Sequence, residues 1–126
     1  MKFYKCEHCG NIVMYVENKN VPVSCCGTAM KELVPNTVDA AAEKHVPVVT
    51  VDGNKVTAVV GEVTHPMIPE HYIMWIAIET NKGSQIKYLK PNEAPEAEFM
   101  LAEGETLVAT YEYCNLHGLW VKKTVY

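Results

Sequence analysis

The stretch His71-Tyr72-Ile73-Met74-Trp75-Ile76-Ala77-Ile78-Glu79-Thr80 is the longest strand candidate in the chain. β-Branched and aromatic residues dominate it, and alternation puts Tyr72, Met74, Ile76 and Ile78 on one face, with Trp75 and Ala77 on the other. Asn81-Lys82-Gly83 turns the chain into a second strand from Ser84 to Lys90. Upstream, Val46 to Val51 and Lys55 to Val60 flank Asp52-Gly53-Asn54, a hairpin signature. Downstream, Glu96 to Leu101, Glu105 to Tyr113 and Leu119 to Val125 complete seven short strands. With almost no helical periodicity among them, the set predicts a seven-stranded antiparallel β-sandwich. The Pro-rich run Lys90-Pro91-Asn92-Glu93-Ala94-Pro95 interrupts it as a crossing loop would.

The chain upstream of the strands differs in kind. Residues 1–37 are Cys-rich, with little apolar bulk beyond Ile12-Val13-Met14-Tyr15-Val16, a short strand candidate. A segment of that size does not close a core without a metal or a partner. Residues 38–44, Val38 to Lys44, read as a connector with at most one helical turn. Two domains are therefore expected, 1–37 and 38–126.

Composition excludes several function classes. The 126 residues are 48% hydrophobic and 21% charged, as in a globular protein with its own core. No apolar run approaches the ~20 residues of a membrane span. Net charge is -4 and Arg is absent, so the basic footprint that nucleic acid demands is missing. The opening Met1-Lys2-Phe3-Tyr4-Lys5-Cys6 has no apolar h-region, and a cytoplasmic location is expected. In that reducing compartment five cysteines serve as ligands or redox groups rather than as disulfides.

Four of those cysteines form a set. Cys6-Glu7-His8-Cys9-Gly10 and Cys25-Cys26-Gly27 supply two pairs, each followed by a glycine free to fold the backbone around an ion. Four thiolates suit zinc or a mononuclear iron. A zinc ribbon is the structural alternative, but ribbons repeat Cys-x-x-Cys, whereas here the second pair is adjacent. His8 reads as an exposed bystander.

Cys114 is left over, and His45, His65, His71 and His117 lie outside the first cluster. All five fall at strand-to-loop junctions, which a sandwich gathers at its two ends and holds on a rigid scaffold. Four neutral nitrogens and one thiolate exceed the four ligands zinc prefers. They suit a five-coordinate iron with one open position, the thiolate pushing electron density toward whatever binds opposite. The alternative is a scatter of histidines that never meet.

The ordered set Cys6-x-x-Cys9-Gly10, Cys25-Cys26-Gly27, Glu43-Lys44-His45-Val46-Pro47, His65-Pro66-Met67, His71, Trp75, Lys90-Pro91, Ala94-Pro95-Glu96-Ala97 and Cys114-Asn115-Leu116-His117-Gly118 closely resembles desulfoferrodoxin, the two-iron form of superoxide reductase. The resemblance runs over essentially the whole chain. It implies a desulforedoxin-like module with iron at Cys6, Cys9, Cys25 and Cys26, followed by an immunoglobulin-like sandwich carrying a second iron. His45, His65, His71 and His117 would be the equatorial ligands of that iron and Cys114 the axial one. Glu43 matches a carboxylate that can occupy the sixth position in the oxidised enzyme, and Lys44 a cation beside the open site. The implied reaction is one-electron reduction of superoxide to hydrogen peroxide by a homodimer, with rubredoxin as electron donor. The rival readings are an electron carrier using only the four-cysteine iron and a zinc-ribbon binding protein.

Overall fold

The computed structural model describes residues 1–125, and the chain divides into two compact units, Met1–Val34 and Pro35–Tyr126. In the first unit β1 (Phe3–Lys5) is the middle strand of a three-stranded antiparallel sheet, between β2 (Ile12–Met14) and β5 (Lys31–Leu33). A hairpin joins β3 (Ser24–Cys25) to β4 (Thr28–Ala29). Of all these residues only Phe3 and Cys6 are buried, so the unit has almost no apolar core. The strand expected around Ile12 is present. The other four are two or three residues long, too short for alternation to register in the sequence.

The second unit opens with one helical turn, α1 (Ala42–His45), within the expected connector. Seven strands follow: β6 (Pro47–Asp52), β7 (Lys55–Val60), β8 (Ile73–Thr80), β9 (Gly83–Tyr88), β10 (Glu96–Met100), β11 (Leu107–Cys114) and β12 (Gly118–Lys123). They form two antiparallel sheets, ordered β10-β7-β6 and β12-β11-β8-β9. The period-2 pattern of β7 sends Val56, Ala58 and Val60 inward, each fully buried, to meet Ile73, Ile76, Ile78, Phe99 and Leu107. Each such side chain contributes roughly 1.5–3 kcal/mol when fully buried. The expected antiparallel sandwich is what forms.

Two details of that sandwich matter for function. β8 begins at Ile73 and not at His71, because the register slips between Tyr113 and Cys114. Tyr113 pairs with Trp75, but Cys114 pairs with Ile73, so the ladder ends there and His71 lies outside it. The other detail is Asn36, which lies against the outer edge of β12. Its backbone N–H donates to the Leu119 carbonyl at 3.1 Å, and its Nδ2 donates to that of Val121 at 3.2 Å. Its Oδ1 accepts from the Val121 N–H at 2.9 Å.

Candidate metal centres

In the first unit the turn of the β3–β4 hairpin explains the adjacent cysteines. Cys25 ends β3, and Cys26 and Gly27 occupy the turn with φ of 54° and 77°. Positive φ at both central positions is the geometry of a tight type I′ connection. The ligand atoms of Cys6, Cys9, Cys25 and Cys26 all lie within 4.8 Å of one another. Backbone N–H groups aim at sulfur: Cys9 N–H at Cys6 Sγ (3.5 Å) and Asn11 N–H at Cys9 Sγ (3.5 Å). The Cys9 amide is the main reason the Cys6 thiol is lowered to about 6, while the neighbouring thiols, Cys6 first, push Cys26 up to about 12. Crowded thiols with amides directed at them are suited to a cation that replaces the protons.

The second cluster gathers at one end of the sandwich. His45 closes α1, after which Val46 is extended ahead of Pro47, so the imidazole turns inward and is buried. Gly61 makes room for that helix. A Cβ there would lie 2.6 Å from the Glu43 carbonyl oxygen and 2.9 Å from the Lys44 carbonyl carbon. His65 follows β7, and its Nδ1 lies 2.7 Å from the Pro66 carbonyl. Donation to that carbonyl places the proton on Nδ1 and leaves Nε2 as the free acceptor. His71 closes the loop by a bridge to Ile68, with backbone bonds of 3.0 and 3.1 Å. Cys114 ends β11, and Gly118, at φ 78°, starts β12 after the turn that carries His117.

The four imidazoles form a closed ring. Centroids are separated by 4.6 Å for His45–His65, 4.7 Å for His65–His71, 5.1 Å for His71–His117 and 4.9 Å for His117–His45, each pair edge to face. Half the diagonal of a square of that side is about 3.4 Å, close to a metal–nitrogen bond of about 2.1 Å plus the radius of an imidazole. Cys114 belongs to one group with His45 and His117 and to another with His65 and His71. Its Sγ therefore lies within 4.8 Å of a nitrogen of every histidine.

One nitrogen of each ring in this cluster lacks a hydrogen-bond partner among the described residues. Nε2 of His65, Nε2 of His71 and Nδ1 of His117 are buried without a hydrogen bond among the described residues. Buried nitrogens in that condition cost stability unless an ion satisfies them. Burial lowers the pKa of His45 to about 4 and lowers those of His65 and His71, which favours the neutral form of these three rings, the form that binds a metal. Burial raises the Cys114 thiol, opposed by the N–H groups of Leu116 and His117. The donor set fits a cation in both chemistry and spacing.

Three surrounding side chains escaped the sequence reading. Glu112 is fully buried and lies 3.6 Å from His45 Nδ1, too far for a hydrogen bond, so that nitrogen too is without a hydrogen-bond partner among the described residues. Burial pushes its carboxyl up to about 9, and with His45 also neutral this is a contact between uncharged groups, not an ion pair. Trp120 stacks on His45 at 4.9 Å and 12°, and its indole N–H donates to the His117 carbonyl at 3.1 Å. Asn115 bonds to both neighbours of His71. A signal for Glu112 was available, since it shares the strand face of Cys114 two residues on. Glu43 and Lys44 occupy exposed positions on α1, and Glu43 lies outside both ligand groups. Lys44 is near enough for its charge to lower the pKa of His45, His65 and His71.

Known proteins match along the whole chain. The family profile described as Desulfoferrodoxin covers residues 37–123. A desulfoferrodoxin of Nitratidesulfovibrio vulgaris is 48% identical, over 94% of this chain and 93% of that protein. One from Syntrophotalea carbinolica is 46% identical, over 95% of this chain and 94% of that protein. Among solved structures, the superoxide reductase from Treponema pallidum has a TM-score of 0.81 at 41% identity, covering 97% of this chain and 98% of that one. The Giardia intestinalis superoxide reductase described as 1Fe-SOR covers 67% of this chain and 99% of its own, with a TM-score of 0.58 at 32% identity. Sandwich, clusters and relatives agree, and the chain belongs to the desulfoferrodoxin family of superoxide reductases.

Proposed function

We propose that this chain is a two-iron enzyme that reduces superoxide to hydrogen peroxide, each superoxide taking one electron and two protons. The observation that carries the reading is the closed ring of four imidazoles, with buried unpartnered nitrogens and one thiol close to all four. His45, His65, His71, His117 and Cys114 would hold one iron. Cys6, Cys9, Cys25 and Cys26 would hold the other. The first unit, Met1–Val34, would then be a desulforedoxin-like iron module and the second the catalytic domain. Bound ferrous iron supplies the electron and an open position at which superoxide can approach.

The rest falls to the protein. Cys114 would donate electron density to the bound metal, as a thiolate ligand does. Lys44 offers a positive spot to a small anion that the net charge of -4 would otherwise repel. Glu43, on the same helical turn, would be a carboxylate available to the oxidised metal. Solvent provides the protons, and rubredoxin returns the electron. All five cysteines are free thiols, which suits the cytoplasm. The working form is a homodimer.

Metal analysis of purified protein, with its visible spectrum, tests the reading. Two irons per chain and two distinct ferric signatures are expected. Cys114→Ser should abolish turnover and the thiolate band of one centre while leaving the four-cysteine signature intact. Zinc alone would make the chain a structural ribbon protein, and a single iron at the four cysteines an electron carrier.

A further inference from the structure

Asn115 lies between two residues of the cluster, Cys114 and His117, yet its bonds go to the loop that carries a third. Its Oδ1 accepts from the Tyr72 N–H at 2.9 Å, and its Nδ2 donates to the Glu70 carbonyl at 3.0 Å. Its backbone N–H donates to the Tyr72 carbonyl at 3.2 Å. Glu70 and Tyr72 are the two neighbours of His71 in the chain. The β8–β11 ladder stops at the Cys114–Ile73 pair. The side-chain amide extends it by one further step, standing where a backbone peptide would stand.

Asparagine often occupies turns because it tolerates a left-handed backbone. Asn20, Asn36 and Asn92 do so here, with φ of 60°, 61° and 71°, but Asn115 does not. Its identity is set by the amide. Asp lacks the donor for Glu70, Ser lacks one of the two groups, and Gln is one methylene too long.

We propose that Asn115 is a positioning residue of the five-ligand centre, holding His71 in register with the Cys114–His117 turn. The loop from Val60 to Ile73 has no strand of its own, so without the amide His71 is held by its bridge to Ile68 and by the backbone bond from Asn115 to Tyr72, with nothing holding Glu70 on its other side to the Cys114–His117 turn. A ring of imidazoles about 5 Å apart tolerates little displacement at any corner. Loss of the amide loosens the site while the apolar core, centred on Val56, Ile76 and Phe99, is untouched.

This inference rests on the iron reading above, and the experiment separates the two. Asn115→Ala and the isosteric Asn115→Asp are compared with the parent protein, each loaded with iron. The measurements are the ferric spectrum, the rate of iron loss to a chelator, and the urea midpoint of the metal-free protein. Removing a partner that orients a ligand typically costs about 10–100-fold in metal affinity. Asn115→Ala should therefore release the His/Cys iron about tenfold faster, with a shifted thiolate band. Asn115→Asp, which keeps only the acceptor, should fall between. The four-cysteine signature should stay fixed in both. Spectra and release rates equal to the parent's would overturn the role, as would a fall in the metal-free midpoint large enough to account for the release. A parent protein with no iron at the histidines would instead sink the functional reading itself.

Discussion

Gly61 is absent from any list of chemical groups, yet it sets how close α1 can lie to the loop that follows β7. The Val63 N–H donates to the Glu43 carbonyl at 3.0 Å, so the two backbones already touch there. A methyl group at Gly61 would enter that contact at 2.6 Å from the same oxygen. The atoms in the way are backbone atoms, so the helix itself must shift, carrying Glu43, Lys44 and His45 with it. Gly61→Ala should cost about 1–3 kcal/mol in urea unfolding, as overpacking does. It should also change the ferric spectrum through His45, whereas Gly53→Ala, at an open hairpin turn, should leave that spectrum alone. A Gly61→Ala protein with parental stability and spectrum would show that the helix yields freely.

At the scale of elements, the Ala102–Glu105 loop is tied to the end of β8 by one carboxylate. Glu105 accepts from the Thr80 hydroxyl and, at 2.9 Å, from the Ala102 N–H, and these bonds hold its pKa below the ordinary 4.5, the hydroxyl contributing most. A depressed carboxylate stabilises the fold above 4.5, and that contribution disappears as pH falls through the lower folded value. Glu105→Gln should therefore be less stable than the parent at neutral pH, with the gap closing in acid; a gap that stays constant with pH would rule the carboxylate out. What the sequence disclosed divides at this same scale. The seven long strands were legible because alternation over five to eight residues leaves a period, as Val56, Ala58 and Val60 demonstrate. The two- and three-residue strands of the first unit leave none. The five junction residues were legible as unusual donors. Of their supporting side chains only Glu112, on the strand face of Cys114, left a sign, because Asn115 and Trp120 act through distances that no spacing in the chain encodes. The start of β8 was misplaced at His71 because nothing local announces the register slip at Cys114.

For the molecule as a whole, the two units should respond differently to metal removal. The first buries only Phe3 and Cys6, so its order should depend on an ion held by the four cysteines. Chelation should abolish amide protection between Phe3 and Leu33 in hydrogen exchange while Ile73–Thr80 stays protected; equal loss in both units would contradict this. The charge distribution makes a separate prediction. On a protein of net charge -4, Lys44→Ala should slow the superoxide step and flatten its dependence on ionic strength, and an unchanged rate would remove Lys44 from substrate capture. Finally, the bonds of Asn36 to Leu119 and Val121 bear on solubility. β12 borders its sheet, and a bare border strand is a template on which another chain can add by β-augmentation, the route to fibrils. Asn36 occupies two carbonyls and one N–H of that template with a single residue, in a backbone conformation that could not continue as a strand. It acts as a stopper against self-assembly, so Asn36→Ala should reveal itself less in the unfolding midpoint than in the lag time before turbidity.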